Sequence, residues 1–192
     1  MGAAVGMEQR TGRASRTRRD IVAAAIETWA VDTHASLGAV ATTAGVGRTT
    51  VHRYFPDREA LVAAVDEECR ERFESAAARA SLQEGRGADA LARMLRELVA
   101  LGPVLGLVFV DDPVVDPETW ESETRPDPFE AVAARGVADG SLDPAVPADW
   151  VVVQCWAVLF GASLALRLDP SASQQVVGDL AARTLLRGVG AG

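Results

Sequence analysis

Residues 36–65 read SLGAVATTAGVGRTTVHRYFPDREALVAAV, and this stretch decides the fold. Ser36 is a favourable N-cap for a short helix over residues 37–43, because its hydroxyl can accept a hydrogen bond from a free N–H of the first turn. Gly45 then suits a tight turn, since a Cβ would be strained in the left-handed backbone conformation that the turn needs. A second short helix follows over residues 48–54. Two short helices joined across a glycine-containing turn are typical of a helix-turn-helix.

The second short helix has one apolar and one polar face. Val51 and Phe55 are four positions apart, so both are expected in the core shared with the first helix. The remaining side chains then project outward, and several of them can donate hydrogen bonds to nucleic acid: Arg48, Thr49, His52 and Arg53. The N-terminus of such a helix also presents free N–H groups and a positive dipole end to phosphate. The pattern therefore predicts a helix that enters the DNA major groove.

Helix signals continue along the rest of the chain, and no segment predicts a convincing strand. Residues 17–31 place Ile21, Ala25 and Trp29 on one face at helical spacing. Asp57 is expected to cap a long helix over 57–80. Two later helices have start signals of their own: Asp127 followed by Pro128, and a capping box that begins at Ser171. The sequence predicts an all-α fold of about nine helices.

The chain divides into a basic and an acidic part. It has 192 residues and a net charge of −8, yet residues 1–65 hold eight arginines against six acids, while residues 66–192 hold 11 arginines against 21 acids. This asymmetry predicts that the N-terminal part approaches an anionic partner. We predict a flexible basic arm over 1–16, a helix-turn-helix domain over 17–62 and a larger helical domain over 63–192.

Composition excludes several other classes of protein. With 48% hydrophobic residues the chain is neither disordered nor a disulfide-stapled miniprotein, and its two cysteines have no metal or redox spacing. We find no phosphate loop, nucleophile elbow or HExxH, so no catalytic residue, metal site or cofactor is expected and the chain is not predicted to be an enzyme. Residues 1–20 lack an export signal, which predicts a cytoplasmic protein. The uncharged run 150–166 could span a membrane, but a helix buried between neighbouring helices and a partner subunit explains it better.

The stretch that decides the fold resembles the DNA-binding domain of the TetR family of bacterial transcriptional regulators. The matching pattern is Leu37-x-x-Val40-Ala41-x-x-Ala44-Gly45-Val46, then Thr50-Val51-x-x-Tyr54-Phe55-x-Asp57-Arg58-x-x-Leu61. The chain departs from the family pattern in three places. The usual Gly before the first helix of the motif is absent, and Asp-Thr-His-Ala stands at 32–35. Gly47 stands where Ser is usual, which removes a side-chain cap. His52 replaces the usual Tyr.

The resemblance implies roles for individual residues of the two short helices. The candidates for base contacts are Arg48, Thr49 and His52. The candidates for phosphate contacts are Ser36, Thr50, Arg53, Tyr54 and Arg58. An additional basic arm that reaches the DNA backbone or minor groove would use Arg13, Arg16, Arg18 and Arg19.

The resemblance also implies a homodimer that binds a palindromic DNA operator and is released by a small-molecule ligand, with repression as its usual effect. The candidate dimer-interface residues are Gly161, Ala162, Ala165 and Leu180. An apolar ligand pocket could be lined by Met94, Leu98, Phe109, Trp120, Phe129, Trp156 and Phe160, although the same residues could equally form core or dimer contacts. The alternative function is a helical ligand-binding or protein-interaction module whose DNA-binding head has decayed.

Overall fold

The computed structural model describes the backbone of residues 2–110, 114–115 and 127–191, and side chains within these ranges from residue 14 onward. Over this part of the chain it contains nine helices and no strand beyond an isolated bridge between Leu142 and Gly190. The prediction of an all-α fold is confirmed. The helices are α1 (Gly2–Val31), α2 (Leu37–Thr43), α3 (Arg48–Tyr54), α4 (Arg58–Arg79), α5 (Gly87–Val99), α6 (Pro103–Val108), α7 (Glu130–Ala138), α8 (Ala148–Leu168) and α9 (Gln174–Val189).

The N-terminal head consists of α1, α2 and α3, packed around one small core. Trp29 of α1 is fully buried, and its indole N–H donates a hydrogen bond to the Ala35 carbonyl at 3.1 Å. Val40 of α2 and Val51 of α3 are also fully buried. Gly45 has φ of +65°, as the tight turn between α2 and α3 requires. The head therefore places α3 on its surface with one face held by the core.

The structure corrects the predicted arm over residues 1–16. Its backbone from Gly2 onward belongs to α1, because no proline interrupts the segment before the apolar face that begins at Ile21. The predicted boundary at 62 also falls inside α4. One continuous helix thus connects the head to the rest of the chain.

The C-terminal body consists of α4 to α9. Its central helix is α5, which packs against α9 on one side and α7 on another. Gly87 and Gly136 let α5 and α7 approach closely, since a Cβ on Gly87 would come within 2.3 Å of the Gly136 backbone. Hydrogen bonds from the Ser141 side chain and from the Gly87 N–H hold the pKa of the Asp139 carboxyl below its usual range. The α5–α7 corner is therefore fixed by both packing and hydrogen bonds.

One predicted helix cap is wrong, and at another the regular helix starts later than expected. Helix α7 begins at Glu130, but the Asp127 side chain still accepts from the Phe129 N–H at 2.7 Å, as an N-cap does, and also from the Trp156 indole at 2.8 Å. The cap of α9 is Ser173, whose side chain accepts from the Val176 N–H. The Ser171 hydroxyl contacts Asp169 at 2.6 Å. At Ser171 the nearby Asp169 carboxylate thus competes for the side chain that the sequence pattern predicts as the cap.

Helix α8 carries a stripe of exposed apolar and small side chains. Its members recur at spacings of three and four, on one face: Trp150, Val153, Ala157, Gly161, Leu164 and Leu168. Among the described residues α8 is the one helix long and apolar enough to cross a membrane, and 28% of its most apolar stretch is buried within the chain. A single helix of this kind is weak evidence for a membrane span. The expected burial on most sides is not provided by the chain alone.

Candidate nucleic-acid interface and ligand cleft

Helix α3 has the two faces that its sequence predicts. Val51 and Phe55 are buried, at 0% and 2% exposure. The opposite face is open to solvent, and its exposed side chains are Arg48, Thr49, His52 and Arg53, with Thr50 and Tyr54 half-buried beside them. The structure therefore brings the predicted base-contact residues together on one exposed surface.

The start of α3 lacks a side-chain cap. Gly47 occupies the N-cap position in an extended conformation, and no side chain accepts from the first-turn N–H groups. By contrast, the Ser36 hydroxyl caps α2 by accepting from the Ala39 N–H at 3.3 Å. The free N–H groups of α3 give its exposed end a partial positive charge, which favours an anion.

Three contacts within the head orient the exposed side chains. The Arg48 side chain crosses the start of α2, where a Cβ on Gly38 would lie 3.4 Å from its Nε. His52 Nδ1 is 3.3 Å from the Pro56 carbonyl oxygen. The Arg53 guanidinium lies 5.2 Å from the centre of the Tyr54 ring, within the range of a cation–π contact. These contacts restrict the side chains without removing them from solvent.

Arg58 has a different environment from the other predicted phosphate contacts. Its guanidinium donates hydrogen bonds to the carbonyls of Ala35, at 2.8 Å, and Thr33. It also lies 4.5 Å from the centre of the Trp29 ring. The side chain thus ties the start of α4 to the α1–α2 loop, and its donors point into the protein.

The exposed surface continues onto α1. Arg16, Arg18 and Arg19 are exposed, and the Arg18 guanidinium lies 5.1 Å from the centre of the Phe55 ring. This contact brings a positive charge of α1 close to the end of α3. The side chain of Arg13 lies outside the described residues.

Comparison with known proteins agrees with this geometry. The sequence profile of the bacterial regulatory proteins of the tetR family matches residues 21–65, which contain α2, α3 and the buried face of α1. The chain is 38% identical over 109 residues to the HTH-type transcriptional repressor LfrR of Mycolicibacterium smegmatis. That alignment covers 56% of this chain and 58% of the repressor.

Solved structures extend the likeness to the whole fold. The structure of LfrR in complex with proflavine superposes with a TM-score of 0.67 at 28% identity, over 90% of this chain and 96% of that one. Residues 21–65 thus match the DNA-binding domain of the TetR family, and the chain as a whole shares the fold of a TetR-like regulator at 28% identity. The ketosteroid regulator KstR2 of Mycobacterium tuberculosis shares the fold, with a TM-score of 0.72 at 12% identity, over 90% of this chain and 94% of that one.

The predicted ligand-pocket residues of this chain separate into two groups. Met94, Leu98 and Phe129 are at most 1% exposed and belong to the core of the body. Phe109 packs edge-to-face against Trp156 and Phe160, with ring centres 6.3 and 5.5 Å apart. Trp120 lies outside the described residues. The aromatic side chains therefore form a cluster whose inner members are core residues.

A cleft of about 900 Å³ lies at the junction of head and body. Its walls are the end of α1, the α1–α2 loop, α6, the C-terminal half of α8 and the segment before α9. Among the predicted pocket residues that the structure describes, Phe109 and Phe160 line it. Sequence patterns did not predict the polar residues of the cleft, which include Glu27, Asp32, Ser163 and Arg167, because each is unremarkable within its own helix or loop and the tertiary fold brings them together.

The predicted dimer-interface residues also divide. Gly161, Ala165 and Leu180 are exposed, whereas Ala162 is 6% exposed and faces the chain's own core. Ala162 is buried because it follows Gly161, a member of the exposed stripe of α8, by one residue and so lies on a different face of the helix. On α9 the exposed apolar side chains are Val176 and Leu180.

The two cysteines lie away from both surfaces. Cys69 is in the core stripe of α4 and Cys155 in that of α8. Burial raises the pKa of each thiol to about 12. Both side chains are therefore protonated at neutral pH and pack as small apolar groups.

Proposed function

We propose that this chain is a transcriptional regulator that binds a palindromic DNA operator as a homodimer, most simply as a repressor in the cytoplasm. The observation that carries the proposal is the outer face of α3. Arginine, threonine and histidine side chains occupy that face, and no acid is among its exposed residues. A head that had lost its DNA partner would keep the buried face but not this cationic one.

We assign the base contacts to Arg48 and Thr49, in the first half of α3, and to His52. Arg48 can donate two hydrogen bonds to O6 and N7 of a guanine, and Thr49 can contact a thymine methyl or an amide edge. His52 Nε2 points away from the Pro56 contact and is available to a base or phosphate. These three side chains share the exposed face, so one helix can read adjacent base pairs.

We assign the phosphate contacts to Ser36, Thr50, Arg53 and Tyr54, of which Ser36 and Arg53 are exposed and Thr50 and Tyr54 half-buried. Ser36 uses its oxygen as a cap acceptor and keeps its O–H as a donor. Arg58 is not among the proposed phosphate contacts, because the carbonyls of Ala35 and Thr33 already accept its hydrogen bonds. Arg16, Arg18 and Arg19 replace it as a source of positive charge at the DNA backbone.

A second copy of this chain is the proposed partner of the exposed stripe on α8. The stripe, with Val176 and Leu180 of α9, leaves large apolar side chains in water, including Trp150 at 54% and Leu168 at 77% exposure. Pairing α8 and α9 with their counterparts forms a four-helix interface and buries this surface. Two α3 helices about 34 Å apart then match successive major grooves on one side of the DNA.

A small molecule that releases the operator is proposed from the relationship to LfrR, whose structure holds proflavine. Proflavine is a flat aromatic amine that is cationic at neutral pH. A ligand of this kind can act only through its different affinities for the DNA-bound and free spacings of the two heads.

Selection of genomic fragments tests the proposal. Purified protein is mixed with sheared DNA of the source genome at moderate salt, and the retained fragments are sequenced. The expected result is a short palindrome near promoters, lost with Arg48→Ala at one position in each half-site. Retention without a motif, or none at all, would overturn the proposal and favour the alternative of a helical module with a decayed head.

A further inference from the structure

We infer that the cleft between head and body is the effector site, and that it takes an aromatic ligand carrying a positive charge. The inference rests on the proposed function as a ligand-released regulator. It differs from the pocket that the sequence predicts, because the inner members of the aromatic cluster are packed core residues. The cleft instead combines open space, exposed aromatic edges and unused polar groups.

Ser163 is the first of these groups. Its side chain is 3% exposed, its hydroxyl has no hydrogen-bond partner, and it lies on the cleft wall. A buried hydroxyl without a partner is costly, so native proteins usually satisfy it with a protein group, water or a ligand. The arrangement indicates that a polar atom of a ligand completes the site.

The charges of the cleft favour a cation. Glu27 and Asp32 line the cleft from the α1 side and Arg167 from the α8 side, while the Arg58 guanidinium, which is hydrogen-bonded to the carbonyls of Ala35 and Thr33, does not itself line it. Asp32 uses one oxygen to accept from the His34 N–H at 3.0 Å, which leaves the other oxygen available. Glu27 is exposed on the cleft wall. A positively charged group bound between these carboxylates gains electrostatic energy in partly excluded water.

Phe109 and Phe160 provide the apolar wall opposite. Their rings meet edge-to-face, with centres 5.5 Å apart, and Phe160 is 45% exposed. Phe160 is three positions from Ala157 and four from Leu164, so it lies at the edge of the α8 stripe, and it also lines the cleft. An aromatic ligand can pack against these edges and bury apolar surface of its own.

Two residues that line the cleft, Trp29 and Thr33, also contact Arg58, which ties the head to α4. Trp29 lines the cleft, and the Arg58 guanidinium lies 4.5 Å from the centre of its ring. Thr33 lines the cleft and offers its carbonyl to the same arginine. Gly106 allows α6 to approach α1, where a Cβ would lie 3.9 Å from the Ala30 side chain. A ligand that binds here therefore favours one position of the head relative to the body.

Binding of two related dyes tests the charge recognition. Proflavine and acridine share a ring system, but acridine is largely uncharged at neutral pH. We expect the full-length protein to bind proflavine, measured by fluorescence anisotropy without DNA, and Glu27→Gln to weaken it about tenfold while leaving acridine unchanged. The matched control is Glu71→Gln, which removes the same charge from an exposed position on α4 outside the cleft. Equal weakening of both dyes, or no proflavine binding by the parent, would overturn the inference.

The Ser163→Ala variant tests the hydroxyl independently. We expect weaker proflavine binding together with an unfolding temperature at or above the parent's, because the buried unpartnered oxygen is gone. Unchanged binding in both Ser163→Ala and Glu27→Gln would show that proflavine binds elsewhere.

Operator release separates this inference from the proposed function. Proflavine also intercalates into DNA, so its effect on operator binding is compared between the parent, Glu27→Gln and Glu71→Gln, in which intercalation is the same. If the protein binds a palindromic operator but Glu27→Gln does not change its release by proflavine, the proposed function holds and the cleft is not the effector site. If proflavine binds in the cleft but no DNA is retained, the cleft is a ligand site and the proposed DNA-binding function is wrong.

Discussion

The outer faces of α3 and α8 are both without a partner in the single chain, but their chemistry is opposite. The face of α3 is polar and cationic, with Arg48 and Arg53 exposed, whereas the face of α8 exposes Trp150, Val153 and Leu168. Water solvates the first face well, so this face is stable without its partner and can bind it reversibly. On the second face, each apolar side chain that stays exposed to water raises the free energy of the protein. The contrast indicates a transient polyanionic partner at α3 and a lasting protein partner at α8.

The largest effect is expected from blocking the apolar face. Gly161 is exposed within the stripe, and a Cβ there meets nothing within 4 Å, so Gly161→Glu fits the single chain. In a dimer the same side chain would place a charge in the interface. We expect monomers by sedimentation velocity, and operator affinity lowered by a factor of about 10² to 10⁴, because two linked heads become one.

The matched control is Ala78→Glu, which adds the same charge at an exposed position on α4. It is expected to remain dimeric and to bind the operator normally. A Gly161→Glu protein that stays dimeric with parental affinity would show that the stripe of α8 is not the subunit interface.

A second prediction concerns Arg58, at the start of α4, where the head joins the body. Arg58→Ala removes hydrogen bonds to two carbonyls and the contact with the Trp29 ring. We expect a loss of about 2 kcal/mol in the free energy of unfolding, measured by chemical denaturation. Arg58→Lys keeps the charge but not the planar fork, so it should recover little of this stability. If Arg58→Lys restores stability, the positive charge rather than the planar fork holds the loop. If both variants keep parental stability and alter only DNA affinity, the residue is a phosphate contact.

Arg58 also shows where sequence reasoning succeeds and where it fails. The buried positions of α1, α2 and α3 could be predicted because apolar spacing within one helix determines which face turns inward, as at Ile21, Val40 and Val51. The partners of Arg58 are backbone carbonyls of a loop, and every residue has a carbonyl. No sequence pattern distinguishes the ones that will accept its hydrogen bonds.

The same limit applies to the ligand site. Met94 and Leu98 were plausible pocket residues by composition, yet α5 is the central helix of the body and buries both. Ser163 gave no signal, since a lone serine in an apolar helix is common. Its importance depends on the cleft, which exists only where the ends of α1 and α8 come together with α6.

Within the cationic face, a third prediction separates base recognition from phosphate binding. Arg48→Ala is expected to relax preference at one position of each half-site, at a cost of about 1–3 kcal/mol per contact. Arg53→Ala should weaken binding to all sequences alike and flatten the dependence of affinity on salt. Fluorescence anisotropy with operator and mutated operators at several salt concentrations measures both. Identical behaviour of the two variants would contradict the assignment of roles on α3.

The smallest effect is expected at the start of α3. Gly47 has φ of −72° and ψ of 149°, the backbone conformation of an ordinary N-cap, and a Cβ there meets nothing within 4 Å. Gly47→Ser can therefore supply the missing hydroxyl acceptor without strain, and it should stabilise the protein by a few tenths of a kcal/mol, or about 1 °C in unfolding temperature. Gly47→Ala adds the same Cβ without the oxygen and should not stabilise. Because the hydroxyl would satisfy an N–H group otherwise free to bind phosphate, the gain in stability should come with slightly weaker DNA binding. If Gly47→Ser raised both quantities, the free end of α3 would not be a phosphate site.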